Sequence, residues 1–238
     1  MTAANEQIDT RLRSGMTFCA LPAQAYFLQP YGALPTGLPS HSLGSAESVR
    51  ENCPQCDQPL VTLLSLDPAD GRLELPALGG THLHLCVCPR CHQSQYTIAD
   101  DGEVIAVQGF QTSPPLFAVQ LQPPEFRPVA LHAVPDRIAE ARTLAAEGRL
   151  DEAGMWASDY NWRTPTNQVG GQPAIGSGQM PSSACPFCGM APPFLASLVC
   201  TAEVSGGEAG LAPIQVLFFV CRDCPAVIAI TTGSAARE

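Results

Sequence analysis

The sequence predicts a mostly β (α+β) fold: two related β modules with approximate twofold pseudo-symmetry and a helical connector between them. Three observations carry the prediction. Eight of the eleven cysteines form four Cys-x-x-Cys pairs, the pairs fall into two sets of nearly equal spacing, and apolar runs of strand length flank each set. With 45% apolar residues in 238, the chain holds enough material for one sizeable core or two small ones.

Taken in order, residues 1–15 are polar and read as a flexible N-terminus. They lack the apolar stretch of a leader, so no signal peptide is expected. The first module is placed at 16–112. Its opening part, 16–39, mixes aromatics with glycine and proline, the pattern of irregular packed coil with one short strand. Val61–Leu66 reads as a strand, and so does 81–87, where Leu83, Leu85 and Val87 alternate with His82, His84 and Cys86. Segments 94–99 and 104–108 flank the turn-like DDGE of 100–103, a hairpin signal. A connector at 113–159 begins as proline-rich coil up to Pro128. It then carries a helical periodicity over 136–156, in which Ile138, Ala141, Arg142, Leu144 and Ala145 share a face and EGRLDEAG either interrupts the helix or starts a second one. The second module, 160–238, has strands at Phe194–Val204, 214–220 and Ala226–Thr232, with a glycine-rich break at 205–210.

The cysteine pairs are the strongest signal. Cys53-Pro-Gln-Cys56 is separated from Cys88-Pro-Arg-Cys91 by 31 residues, and Cys185-Pro-Phe-Cys188 from Cys221-Arg-Asp-Cys224 by 32. Each opening pair leads into an apolar strand and each closing pair follows one. A Gly-x-Pro triplet precedes each set, Gly37-Leu-Pro39 in the first and Gly171-Gln-Pro173 in the second. One duplicated module explains all of this. Matching Cys88 with Cys221 also sorts the remaining groups, because Cys86 then corresponds to Phe219, His84 to Leu217 and His92 to Pro225. None of these stands at a ligating position, and Cys86, Cys19 and Cys200 read as small buried residues.

Four thiolates from two short knuckles make a tetrahedral cage of soft donors suited to Zn2+, so the modules are read as zinc-ribbon-containing with two structural sites. The ligands are Cys53, Cys56, Cys88 and Cys91 in one and Cys185, Cys188, Cys221 and Cys224 in the other. Filling both cages adds eight negative charges and returns four positive ones, taking the formal charge from −10 to −14. Arg90 and Arg222, inside the closing knuckles, are candidates to offset it. An iron site and a redox dithiol are the alternatives; against the latter, these pairs run into β-like segments and do not open a helix.

Composition narrows the function. All twelve basic residues are arginines, which excludes a Schiff-base lysine and a P-loop lysine. The balance of 22 acidic to 12 basic residues weighs against indiscriminate phosphate-backbone binding and suits a basic protein partner. No apolar run is long enough for a membrane-spanning helix, and reduced cysteines in such pairs point to the cytoplasm. No coherent Ser-His-Asp or Cys-His set stands out. Two aromatic-plus-glycine segments remain: Trp162, Gly170, Gly171 and Pro173 in the second module, with Tyr31, Gly37 and Pro39 in the first. A tryptophan and two consecutive glycines on a loop answer either to tight packing or to a ligand, so these residues are the candidate partner surface.

The run Val169-Gly-Gly-Gln-Pro173, then Cys185-Pro-Phe-Cys188-Gly-Met190, then two apolar strands ending at Cys221, resembles the bacterial domain typified by YwqG-like proteins and the related programmed-cell-death-protein-2-like family. The likeness covers about 160–232 and, more loosely, 20–108, where Asp57 stands in the place of Gly189. It implies a two-lobed, mostly β protein with related halves, and in the eukaryotic branch a dedicated chaperone of a ribosomal protein. Ala174 and Ile175 follow the turn where that family shows a tryptophan, and no central finger of the MYND type lies between the halves. The leading expectation is a zinc-stabilised, non-enzymatic protein-binding module, chaperone-like or an adaptor, that takes a basic or extended protein segment. The alternatives are a zinc-ribbon nucleic-acid-binding protein, which would need Arg90, Arg127, Arg137 and Arg142 to cluster, and an enzyme of unassigned class.

Overall fold

The computed structural model describes residues 24–31, 39–45, 51–73, 75, 82–91, 93–98, 104–106, 119–122, 124–156, 166–175, 184–204, 211–221, 223–224 and 226–232. The N-terminal segment, Cys19, Gly37, His92, Trp162, Arg222 and the 205–210 break lie outside the described residues.

In chain order the strands of the first module are β1 (Tyr26–Pro30), β2 (His41–Leu43), β3 (Val61–Leu66), β4 (Leu83–Val87), β5 (Gln93–Ile98) and β6 (Val104–Ala106). The connector supplies β7 (Val119–Leu121), β8 (Arg127–Ala133), helix α1 (Asp136–Ala146) and helix α2 (Leu150–Trp156). The second module supplies β9 (Gln168–Val169), β10 (Phe194–Val204), β11 (Leu211–Val220) and β12 (Ala226–Thr232). The fold is therefore mostly β, as the apolar runs required. The helical stretch divides in two because Gly148 takes φ +81° between the helices, a conformation that costs glycine nothing. One expectation fails. The coil read up to Pro128 contains β7 and the start of β8, since a proline lacks only the N–H, and the Pro128 carbonyl still accepts from Tyr31 N at 2.9 Å.

All twelve strands among the described residues join one sheet. Eleven run in the order β4-β3-β2-β8-β1-β9-β10-β11-β12-β5-β6, and β7 pairs with the far end of β10. Matching β1, β2, β3 and β4 with β8, β9, β10 and β11 turns the stretch from β4 to β11 into itself read backwards. The registers agree in detail. Leu43 pairs with Leu64 as Val169 pairs with Ala196. Gly44 N donates to Leu63 O at 2.8 Å as Gly170 N donates to Leu195 O at 2.7 Å. The β3–β4 ladder shifts register between Thr62 and Leu64, and the β10–β11 ladder does so at the matching place, between Phe194 and Ala196. The matched halves are therefore β1–β4 and β8–β11, the second starting inside the stretch read as connector, and each lends its first strand to the other, because β1 pairs with β9 and β8 pairs with β2.

This alignment corrects one sequence match. The residue that corresponds to Gly170 is Gly44, with φ +67° against +68°, and not a member of the Gly37–Pro39 triplet, since Pro39 precedes β2 whereas Gly170 follows β9.

The largest core cluster takes residues from both halves: Leu63, Leu64, Leu85 and Tyr96 pack with Leu195, Val216, Phe218 and Val227. The other face of β10–β12 buries Phe194, Leu217, Phe219 and Ile228. That is why these strands read as continuous apolar runs and do not alternate. A third cluster seats α1 and α2 through Ile138, Ala141, Leu144 and Ala153 against Ala25 and Val134. The far ends of the sheet also meet. Along β4, Cys86 N donates to Tyr96 Oη at 2.8 Å, Tyr96 Oη donates to His84 O at 2.9 Å, and Ser94 Oγ donates to Cys86 O at 2.8 Å. Side chains of β5 thus satisfy backbone groups that a free edge would expose.

Candidate metal centres

The sheet brings the eight paired cysteines into two groups of four: Cys53, Cys56, Cys88 and Cys91, and Cys185, Cys188, Cys221 and Cys224, with the sulfurs of each group all within 4.8 Å of one another. Among the described residues these are the clusters of His, Cys, Asp or Glu able to hold a metal ion. The pairing of β3 with β4 and of β10 with β11 does this, because each ladder sets the opening knuckle at the head of one strand beside the closing knuckle at the tail of the next. Individual separations are 3.9 Å for Cys53–Cys91, 3.4 Å for Cys56–Cys88 and 3.6 Å for Cys188–Cys221. A tetrahedral ion with metal–sulfur bonds of about 2.3 Å has sulfur–sulfur edges of about 3.8 Å, so the donor sets have the right size.

Each opening knuckle closes on itself in the same way. Cys53 N donates to Gln58 O and Asp57 N to Cys53 O, both at 2.8 Å; Cys185 N donates to Met190 O at 2.8 Å and Gly189 N to Cys185 O at 2.9 Å. The residue after the second cysteine must then turn left-handed. Gly189 does so at φ +71°, and Asp57 does so at +58°, held by Asn52 Nδ2 on its carboxylate at 3.1 Å.

Electrostatics explain why these sulfurs want a cation. Burial, and the neighbouring thiols after it, push Cys88 and Cys224 up to about 12. Burial also raises Cys56, but hydrogen bonds, that from the Gln58 backbone foremost, outweigh it and hold the thiol below its ordinary value. For Cys188 the Met190 backbone N–H is the main cause of the same downward shift. Four sulfurs this close deprotonate together only around positive charge, which a divalent ion supplies. Cys86 and Cys200 differ: both are buried, burial pushes each up to about 12, and they are inert thiols packed in the core.

A buried polar network was missed in the sequence. His41 Nδ1 accepts from Asp67 N at 3.1 Å, so the ring carries its proton on Nε2 and donates it to Asp70 Oδ2 at 2.8 Å. Arg72 grips the same carboxylate through Nε and Nη2. Burial would raise Asp70, but the Arg72 side chain and backbone and then His41 outweigh it and hold the carboxyl at about 2. In the second half Asn167 Oδ1 takes the matching backbone N–H, that of Val199, at 2.7 Å. His41 is therefore a backbone clamp. A serine, a histidine and an aspartate do meet nearby, with Ser40 Oγ 2.9 Å from His82 Nε2, but Asp67 contacts Ser40 and not the imidazole, so the order needed for a triad is absent.

None of the described candidate partner residues lines the cleft that the structure shows. Tyr31 and Pro39 are half-buried, Pro173 is buried, and Gly37 and Trp162 lie outside the described residues. Packing accounts for the double glycine: both residues have positive φ, and a Cβ on Gly171 would overlap the methyl of Ala25, just before β1. The turn is further held by Gln168, whose Nε2 donates to Gly170 O at 2.6 Å and Gln172 O at 3.1 Å while its Oε1 accepts from Arg142. Arg142 is 4% exposed and lies over the Phe27 ring, so it cannot join the basic cluster that nucleic-acid binding would need. A cleft of about 280 Å3 lies elsewhere, lined from both halves by Leu43, Leu63, Glu125, Asn167, Leu198 and Cys200.

No helix among the described residues is long and apolar enough to cross a membrane. Compared with family models, curated proteins and solved structures, the chain matches none.

Proposed function

We propose that the chain is a non-enzymatic, zinc-stabilised protein-binding module, duplicated about an approximate twofold axis, that takes a basic or extended protein segment. One observation carries the reading: two four-sulfur groups of tetrahedral size stand at matched places in the halves. Zinc is the metal because four thiolates suit it, and a cage with four protein ligands leaves no position for water or substrate. The metal is then structural, and the work falls to the surface it braces. Matched registers, matched bulges and the exchanged first strands support the duplication and the twofold.

The cleft is where an extended segment docks. Along β10, pairing with β9 ends at Ser197 and pairing with β7 begins at Ala202, and the cleft lies against the residues between them. A partner segment there gains a site for one apolar side chain, while the charge of −10 steers basic segments toward the molecule. Tyr31, Gly37, Pro39, Trp162, Gly170, Gly171 and Pro173 are kept as a second candidate contact set, read from the sequence. A chaperone-like role in the cytoplasm follows from the family resemblance and the need for reduced thiols. The test is elemental analysis followed by affinity capture from native lysate. Two zinc ions per chain and RNase-resistant, salt-sensitive recovery of a basic protein are expected; RNase-sensitive recovery would replace this reading with nucleic-acid binding.

A further inference from the structure

The two cysteine groups are built alike and exposed differently. In the first, Cys53, Cys88 and Cys91 are 5%, 0% and 8% exposed and only Cys56 is half-buried. In the second, Cys185 and Cys221 are buried, Cys224 is half-buried and Cys188 lies open to solvent. The surroundings differ as well: Phe187 and Met190, on the knuckle with Cys188, are 55% and 58% exposed, whereas the matching positions in the first knuckle are Gln55 and Gln58. Reactivity of a sulfur toward an oxidant follows its thiolate character and its access, and a zinc-bound cysteine is a thiolate. With ligand chemistry and local hydrogen bonding equal, access decides.

We propose that Cys188 is an oxidation site through which the second centre, and not the first, releases its zinc. The inference rests on the zinc reading above. Hydrogen peroxide is the oxidant. The Cys188 sulfur attacks one peroxide oxygen, the O–O bond breaks, hydroxide leaves, and the sulfur becomes a sulfenic acid. Cys221, whose Sγ lies 3.6 Å from that of Cys188, then attacks the oxidised sulfur; the S–S bond forms and a second hydroxide leaves. The two thiolates give up two electrons, peroxide ends as two waters with two protons from solvent, and the zinc keeps only two ligands and dissociates. The new bond joins the opening knuckle to the closing one, as the metal did, so the module stays tied while its metal departs.

The experiment uses the full-length protein with its metal counted beforehand. Hydrogen peroxide is added in the presence of a chromogenic zinc chelator, and free thiols are alkylated at intervals for peptide mapping. The expected result is two phases of zinc release, one equivalent each, the first on the order of ten-fold faster or more. A disulfide containing Cys188 should form with the fast phase, while Cys53, Cys56, Cys88 and Cys91 stay reduced. Thiol reductant plus zinc should restore the lost equivalent. Release of both equivalents in one phase, faster release from the first centre, or a fast-phase disulfide without Cys188 overturns this inference and leaves the zinc reading standing. A protein purified with no zinc removes both.

Discussion

At His41 the environment decides the protonation state, and with it a pH response. Burial lowers its pKa below 6.5 against the opposing pull of Asp70 and Asp67, with Arg72 adding to the lowering. Between the folded value and 6.5 the unfolded chain takes up a proton that the folded chain refuses, so stability rises with pH through that window and is lost as pH falls below 6.5. Asp70 acts lower, since its contribution is complete above 3.8 and disappears as pH falls toward about 2. His41→Asn, which places in the first half the side chain that serves at Asn167, should keep a backbone acceptor and flatten the loss between about pH 7 and pH 5 in denaturant titrations. An unchanged slope would show that other groups titrate there. Gly171→Ala combines a left-handed backbone with overlap on Ala25 and should cost about 2–4 kcal/mol, part of it recovered when Ala25→Gly is added. The two four-sulfur groups were legible because the spacing within each pair is local, and so was the burial of Cys86 and Cys200, which followed from the repeat and from having no pair. His41 was not, because its partners Asp67, Asp70 and Arg72 lie more than twenty residues away and nothing in the chain marks them as neighbours.

At the scale of elements, β3, β10 and β12 were read at their observed ends, and the hairpin of β5 and β6 was read from its DDGE turn. Partners were a different matter. The local pattern gives a strand its faces but not its neighbours, so nothing announced that β5 would leave β4 and pair with β12. Tyr96 compensates for that departure, taking both hydrogen bonds at a β4 edge that no strand among the described residues covers, while itself fully buried. Tyr96→Phe removes only the hydroxyl and strands Cys86 N–H and His84 C=O, and a loss of about 2 kcal/mol is expected from chemical denaturation. Cys86→Ala at the same place should keep both metals and cost roughly 1–2 kcal/mol for the small cavity. A Tyr96→Phe protein as stable as the parent would mean that water reaches that edge.

For the whole molecule, the exchange of first strands sets how the halves unfold. Two modules tied only by a connector would melt separately. The sheet argues otherwise. Since β1 lies between β8 and β9, and β8 between β2 and β1, opening either half removes a strand from the other. The largest core cluster also runs across the junction, from Leu63 and Tyr96 to Leu195 and Phe218, so separation would wet apolar surface on both sides. Structural zinc contributes folding free energy on the order of 10 kcal/mol in small sites, and if the two groups hold zinc as proposed, each ion should stabilise the whole chain. Calorimetry of the zinc-loaded protein should therefore give one transition with equal van't Hoff and calorimetric enthalpies. In hydrogen exchange, β3 in one half and β10 in the other should share the slowest, global opening. Cys188→Ala should lower that shared midpoint and speed exchange in β3 as well as in β10. Two transitions, or a Cys188→Ala protein in which β3 keeps its full protection, would mean that the strand exchange does not couple the halves.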